Sequence, residues 1–142
     1  MGCSEHSTST SFEEQLNKLD AAYVHIGVFD FNGVFRHKKI EAAKAVKLAK
    51  NGYSFCEVLY QWNIADNVYG GGAYLDQPAQ LDPSSVRAWP FGEKEAICIA
   101  DFVKPLGNLS PRNQLIKQLD RAQLMGFTVH SAFEFEFTLL QE

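Results

Sequence analysis

The stretch YVHIGVFDFNGVFRHKKI, residues 23–40, decides the fold class of this 142-residue chain. Two β-rich apolar runs, Tyr23–Phe31 and Val34–Ile40, flank the dipeptide Asn32-Gly33. Asn-Gly between two such runs is a strong hairpin signal, because this tight turn requires positive φ at both of its central residues. We therefore predict a β-hairpin that turns at Asn32-Gly33.

Helix and strand signals continue on both sides of the hairpin. Good helix formers fill residues 41–50 and stop at Asn51-Gly52, which is typical of a helix end. Residues 61–85 contain three consecutive glycines and two prolines, and they predict a long loop. The remaining predicted elements are a short helix over 12–22 and strands over Tyr53–Tyr60, Val86–Trp89 and Glu95–Phe102. This order predicts an α+β fold, a β-grasp-like sheet with one packed helix.

The pattern changes after residue 105. Ser110 is a favourable N-cap with Pro111 at the first helical position, and apolar residues follow at helical spacing up to Gly126. Two further strands are predicted over 127–129 and 133–140. We therefore divide the chain into a disordered tail (1–11), an N-terminal domain (12–105) and the start of a second domain (106–142).

Composition excludes several classes of protein. A net charge of −4 and a pI of about 5.5 argue against a nucleic-acid or anionic-membrane partner. No apolar run is long enough for a membrane span, and three distant cysteines favour reduced thiols and a cytoplasmic location. The start Met1-Gly2-Cys3 suggests lipidation, but His6 stands where that motif needs Ser or Thr, so a solvated tail is preferred.

The segment FEFEF, residues 133–137, is the strongest candidate for chemistry. On a strand, Glu134 and Glu136 share one face and stand roughly 6–7 Å apart, a spacing that suits two adjacent hard cations. An ordinary amphipathic strand with its charged face in water explains the same pattern. The four histidines form no metal-ligand spacing, and Asp30 before the turn suits a hydrogen bond at the hairpin end better than catalysis. No catalytic or cofactor-binding residue is assigned.

Several weak motifs occur together in an order that resembles the N-terminal part of the glutamine synthetase family. That family opens with a β-grasp hairpin of the type D-x-N/x-G-x-x-R-x-K, continues through a linker ending in sPR, and then has a helix and a strand bearing E-x-E. The matching segments are Asp30–Lys38, Ile99–Phe102, Pro105, Ser110–Arg112, Gly126-Phe127 and Glu134–Glu136. The resemblance covers residues 20–142.

The resemblance implies a function and a set of partners. Family members use ATP and Mg²⁺ or Mn²⁺ to activate the γ-carboxylate of glutamate, which ammonia then attacks to give glutamine, and they assemble as ring-shaped oligomers of identical subunits. By position, Glu134 would bind the cation on the nucleotide-phosphate side and Glu136 the cation on the glutamate side.

Two departures from the family pattern modify this expectation. The acidic D-G-S-S stretch of the family's β-grasp loop has no match in residues 59–66. This puts ammonia as the acceptor in question and favours either a family branch that uses a larger amine or a branch that has lost activity. The family's other metal, ATP and glutamate ligands would lie beyond Glu142, so we expect the chain alone to be inactive. The competing hypothesis is a non-catalytic β-grasp module, or pseudoenzyme, that associates with full-length relatives.

Overall fold

The computed structural model describes residues 11–141, and a hairpin, a helix and a returning strand form its centre. In chain order the elements are α1 (Phe12–Lys18), β1 (Tyr23–Phe29), β2 (Phe35–Glu41), α2 (Ala42–Asn51), β3 (Tyr53–Cys56), β4 (Asp76–Leu81), β5 (Arg87–Ala88), β6 (Glu95–Phe102) and α3 (Pro111–Leu124). Residues 1–10 of the predicted tail (1–11), with the lipidation signal, lie outside the described residues, whereas Ser11 is described and caps α1.

The strands form one mixed sheet in the order β2-β1-β6-β4-β3, with β5 paired to the start of β6. The hairpin strands are antiparallel, whereas β1 and β6 run parallel, with Ile26 opposite Cys98. Such a parallel pair needs a long crossover, which α2 and the following segments supply. No helix in the described part of the chain is long and apolar enough to cross a membrane. The predicted α+β class is confirmed.

The core lies on one face of this sheet. Alternate residues of β1 and β6 point into it, and Val24, Ile26 and Cys98 are fully buried. Both N-terminal helices contribute, α1 through Phe12 and Leu16 and α2 through Ala45. Helix α1 begins at a capping box in which Ser11 Oγ accepts from the Glu14 N–H at 3.2 Å. The sheet therefore carries two helices on its inner face, one more than predicted.

The hairpin turn is longer than predicted. Residues 30–34 connect the strands, and Gly33 has a φ of 77° whereas Asn32 keeps a negative φ. The two-residue turn was therefore wrong. Asp30 is the physical reason: its buried side chain accepts from the backbone N–H groups of Asn32 and Val34, both at 2.9 Å, and closes a wider loop.

Two predictions between residues 53 and 85 need correction. The strand predicted over Tyr53–Tyr60 stops at Cys56 and continues as a 3₁₀ turn, Glu57–Tyr60. The long loop contains β4, whose inward residues Ala79 and Leu81 are buried. Pro78 concealed this strand, because proline removes a ladder donor. It is tolerated because β6 pairs only with residues 79–81 of β4.

The part of the chain after residue 105 agrees with prediction only as far as Gly126. Helix α3 has the predicted cap, with Ser110 Oγ accepting from the Asn113 N–H, and Gly126 follows it with a φ of 85°. The strands predicted over 127–129 and 133–140 are absent, since residues 127–141 form no regular structure. A strand needs a neighbour to satisfy its backbone groups, and no described strand pairs with this segment.

Candidate functional site

The predicted metal ligands Glu134 and Glu136 lie in the irregular segment 127–141, and both side chains are exposed. Phe135 between them is 89% exposed. Within residues 11–141, no group of three or more His, Cys, Asp or Glu side chains is placed to hold a metal ion. The structure does not assemble a metal centre around the pair, so its role as a metal site stays a prediction.

One guanidinium joins two carboxylates where the sheet meets α3. Arg112, in the first turn of α3, forms ion pairs with Asp101 on β6 and with Asp82 just after β4. Ser110, which is 1% exposed, donates its hydroxyl to Asp101 Oδ1 at 3.2 Å. Because α3 buries none of its own residues, these polar contacts hold its N-terminal end against the sheet.

Charge balance keeps this junction ionised at neutral pH. Burial acts to lower the pKa of Arg112, but hydrogen bonds and charge from Asp101 and Asp82 outweigh it and raise that pKa. Burial likewise acts to raise the pKa of Asp82, but hydrogen bonds from Ser84 and Arg112 outweigh it and leave the pKa lowered. Both partners therefore carry full charge near pH 7.

A cleft of about 650 Å³ opens beside the junction, between the sheet and α3. Its charged and amide lining includes Asp82, Asp101, Lys104, Asn108, Arg112 and Lys117. The two carboxylates are already engaged by Arg112, whereas the two lysines add positive charge to the walls.

A second ionic cluster ties the hairpin turn to the loop that follows the first 3₁₀ turn. Arg36 on β2 donates Nε to Asp30 Oδ2 at 2.8 Å and Nη2 to Asp66 Oδ1 at 2.7 Å. Its guanidinium also lies 4.8 Å from the centre of the Trp62 ring, and Asn32 donates to the Trp62 carbonyl at 3.1 Å. The hydrogen bonds that Arg36 donates to Asp30 and then to Asp66 raise its pKa.

This cluster fixes one part of the loop and leaves another part uncovered. The loop residues 61–69 are anchored through Trp62 and Asp66, although the Asp66 side chain remains 67% exposed. Ile64 and Tyr69 present apolar side chains that are 83% and 78% exposed. The arrangement can therefore present a pre-positioned apolar surface beside a neutralised carboxylate.

The structure tests several of the weaker sequence predictions. Asp30 makes the predicted hydrogen bonds at the hairpin end, which confirms that interpretation. Cys98 is fully buried, and burial raises the pKa of its thiol to about 11, as expected of an inert thiol. The triple glycine 70–72 lies in an exposed loop, and His130 is exposed.

The two arginine clusters were not predicted. Arg36 and Arg112 occur in the family-like segments, but their partners Asp66 and Asp82 each lie 30 residues away in sequence. No local pattern predicts such contacts. The one available signal was the spacing of Asp30 and Arg36 around a single hairpin turn, which brings both to the same end of the sheet.

Comparison with known sequences finds similarity to ligases of the glutamine synthetase family. The chain is 33% identical over 139 residues to glutamate–isopropylamine ligase from Pseudomonas sp, an alignment covering 89% of this chain and 30% of the ligase. It is 26% identical over 133 residues to type-1 glutamine synthetase 2 from Dictyostelium discoideum, covering 87% of this chain and 26% of that protein. These matches show a relationship between this chain and the N-terminal region of the glutamine synthetase family. No protein-family model matches the chain.

Solved structures show the same fold. The ADP complex of GmaS superposes with a TM-score of 0.65 at 24% identity, covering 82% of this chain and 26% of that one. GmaS without ligand gives the same TM-score and covers 82% and 27%. The chain thus spans less than a third of the length of the glutamine synthetase-family ligases and structures that it matches.

Proposed function

We propose that this chain is the N-terminal part of an ATP-dependent ligase that joins ammonia or another amine to the γ-carboxylate of glutamate, and that residues 1–142 alone are inactive. The observation that carries the proposal is the 33% identity to glutamate–isopropylamine ligase along 89% of the chain. The fold shared with GmaS supports it independently of sequence.

Glu134 and Glu136 are the residues of this chain that we propose as ligands of Mg²⁺ or Mn²⁺. Carboxylate oxygens are the donors that these hard ions prefer, so the chemistry of the pair fits the ions. Both side chains are exposed, and no salt bridge in the described part of the chain engages them. Bound cations would offset phosphate charge and position the reactants.

An amine larger than ammonia is the acceptor that we favour. Asp66 is the acid in the loop that lacks the family's D-G-S-S stretch, and Arg36 already engages its carboxylate at 2.7 Å. The same loop exposes the apolar side chains of Ile64 and Tyr69. An alkyl group would gain from apolar contact, whereas ammonia would need an unpaired carboxylate.

We further propose a ring-shaped homo-oligomer in the cytoplasm, by analogy with the family. The alternative is a non-catalytic β-grasp module, or pseudoenzyme, that binds full-length relatives. One observation favours it: residues 133–140 expose a series of large apolar side chains. Such a surface would gain stability from a partner.

A chimaera distinguishes the two functions. Residues 1–142 replace the matching region of glutamate–isopropylamine ligase, and ATP- and Mn²⁺-dependent γ-glutamyl transfer is measured with isopropylamine and with ammonia. We expect a folded, active chimaera, in which Glu134→Gln and Glu136→Gln each lower the rate by about 100-fold, equivalent to about 2.7 kcal/mol. Glu134→Gln should act mainly on ATP binding and Glu136→Gln mainly on the glutamate side.

Glu93→Gln is the matched control, because it removes an equally exposed carboxylate elsewhere on the chain. It should leave the rate unchanged. A folded chimaera without activity would favour the non-catalytic module. If both glutamine variants keep more than about half of the chimaera's rate, a loss of under about 0.4 kcal/mol, the metal assignment is withdrawn.

A further inference from the structure

Two histidines that share no sequence motif meet on the outer face of the sheet, opposite the core. We call the group of His25, His37, Lys39, Trp89 and Glu95 the imidazole cluster. His25 is 6% exposed, which is unusual for a polar side chain on the face that carries no helix. None of these residues belongs to the arginine clusters or to the proposed metal site.

Glu95 fixes the tautomer of His25. His25 Nε2 lies 2.6 Å from Glu95 Oε2, and Lys39 binds the other carboxylate oxygen. Hydrogen bonds from His25 and then Lys39 lower the pKa of Glu95, so it is a carboxylate at neutral pH and can only accept. His25 Nε2 therefore carries a proton, and the neutral ring has its lone pair on Nδ1.

The second nitrogen of His25 faces the second histidine. His25 Nδ1 and His37 Nδ1 are 3.1 Å apart, a hydrogen bond that needs one proton between the two atoms. Gly27 makes this approach possible, since a Cβ there would lie 2.6 Å from His37 Cβ. When both rings are neutral, His37 Nδ1–H donates and His25 Nδ1 accepts.

Proton counting separates the first protonation from the second. One added proton leaves either ring as an imidazolium and the other as an acceptor, so the contact survives. The positive charge lies beside Glu95 when His25 carries it. A second added proton makes both Nδ1 atoms donors that face each other. No hydrogen bond is then possible, and two positive rings stand in contact.

The surroundings allow His37, and not His25, to move. The His25 ring is stacked on Trp89, with centroids 4.1 Å apart, and its Nε2 is held by Glu95. His37 is exposed and packs against Phe35 at 5.1 Å, so it can turn into water without breaking the core. The charged or titratable groups around the two histidines on this face are Tyr23 on β1, Lys39 and Glu41 on β2, Arg87 on β5 and Glu95 on β6.

We propose that the imidazole cluster is a pH-sensitive contact: it takes one proton with the His25–His37 hydrogen bond intact, and it opens at that bond when it takes a second. Opening releases His37 from Phe35 and from Trp89 and frees the outer face of the hairpin. This inference is independent of the proposed ligase activity, because it uses only the sheet and its outer face.

The sign of the effect on stability follows from the second protonation. Burial, and then the charge of His25, lower the pKa of His37 below its ordinary value of 6.5. The unfolded chain therefore binds this proton at a higher pH than the folded one. Stability is unaffected above pH 6.5 and falls as the pH drops below it, until His37 is protonated in the folded state too.

Trp89 reports the contact by fluorescence, because a stacked imidazolium changes indole emission. The chain has two tryptophans, so the full-length chain is used with Trp62→Phe. Emission and far-UV circular dichroism are followed from about pH 8 to about pH 4, which brackets imidazole titration. We expect two steps in emission while the circular dichroism stays constant.

Two variants in the same background complete the test. His37→Gln keeps a donor for His25 Nδ1 but cannot take the second proton, so we expect loss of the lower step and retention of the upper one. His130→Gln, at an exposed histidine outside the cluster, should match the parent. The proposal is overturned if His37→Gln retains both steps, if the parent lacks the lower step, or if emission and circular dichroism change together.

Discussion

Arg112 is the residue on which the attachment of α3 depends. Replacing it by glutamine removes the positive charge between Asp82 and Asp101, while Ser110 keeps the helix cap. We expect Arg112→Gln to weaken the attachment by about 1.5–3 kcal/mol, the range for hydrogen bonds to charged groups. Amide hydrogen exchange should show faster exchange along α3 and unchanged exchange in β6.

Arg121→Gln is the control for this prediction, since it lies in the exposed last turn of the same helix. It should leave exchange unchanged. Equal acceleration of β6 in Arg112→Gln would show that the junction supports the whole sheet and is not a local attachment.

Gly27 is required where β1 passes β2. A Cβ there would lie 2.5 Å from the Arg36 carbonyl oxygen and 2.8 Å from His37 Cα, and both are backbone atoms that cannot rotate away. We expect Gly27→Ala to lower the free energy of unfolding by about 1–3 kcal/mol, measured by urea denaturation. Gly71→Ala, where a Cβ meets nothing within 4 Å, should change it little; equal values for both would contradict this account.

At the residue scale, contacts between residues close in sequence could be predicted, and contacts between distant residues could not. The hydrogen bonds of Asp30 were predicted because donor and acceptor lie within one turn. The contact of Arg112 with Asp82, 30 residues away, and the contact of His25 with His37 were not predicted. Each depends on how the strands of the sheet are aligned, which the sequence does not show. Glu134 and Glu136 were selected as a pair from their spacing, and their chemistry stays a prediction.

At the scale of elements, the strongest patterns gave the most accurate bounds. Strand β6, Glu95–Phe102, has the predicted limits, because its alternation has no interruption. Helix α3 has the predicted cap and stop. Strand β4 was missed because Pro78 resembles a loop signal. The strand predicted over 133–140 was wrong because alternation of apolar and polar residues indicates two faces but does not supply the neighbouring strand that pairing needs.

The loop between β3 and β4 should show two levels of order. Arg36, Asp66 and Trp62 anchor residues 61–69, whereas Gly70–Leu75 lack such a cluster. We therefore expect chymotrypsin to cut first between Tyr69 and Leu75. Arg36→Lys loses the planar fork that reaches Asp30 and Asp66 together, and it should extend early cleavage into residues 61–68.

Lys47→Arg, on the exposed face of α2, is the matched control and should leave the cleavage pattern unchanged. Peptide mass mapping identifies the sites. First cuts inside β1 or β6 in the parent chain would show that the loop between β3 and β4 is not the segment that opens most readily.

At the scale of the whole molecule, exposed apolar side chains are concentrated after residue 105. The side chains of residues 133, 135, 137, 139 and 140 are 82–89% exposed. On α3, Leu115 is 59% and Leu124 90% exposed. The core behind the sheet is closed, whereas this region has a large apolar surface with no described partner.

That surface should make the 142-residue chain self-associate. Contiguous exposed apolar groups with β-forming alternation are typical association sites. At roughly 20 μM we expect sedimentation velocity to show oligomers of the 15.9 kDa chain, driven mainly by burial of Phe133, Phe135 and Phe137. Replacing these three by serine should shift the population to monomer, whereas Phe91→Ser, at an 84% exposed site between β5 and β6, should not. A monomeric parent would refute the prediction. Oligomers that persist in the triple variant would show that the chains associate through α3 instead.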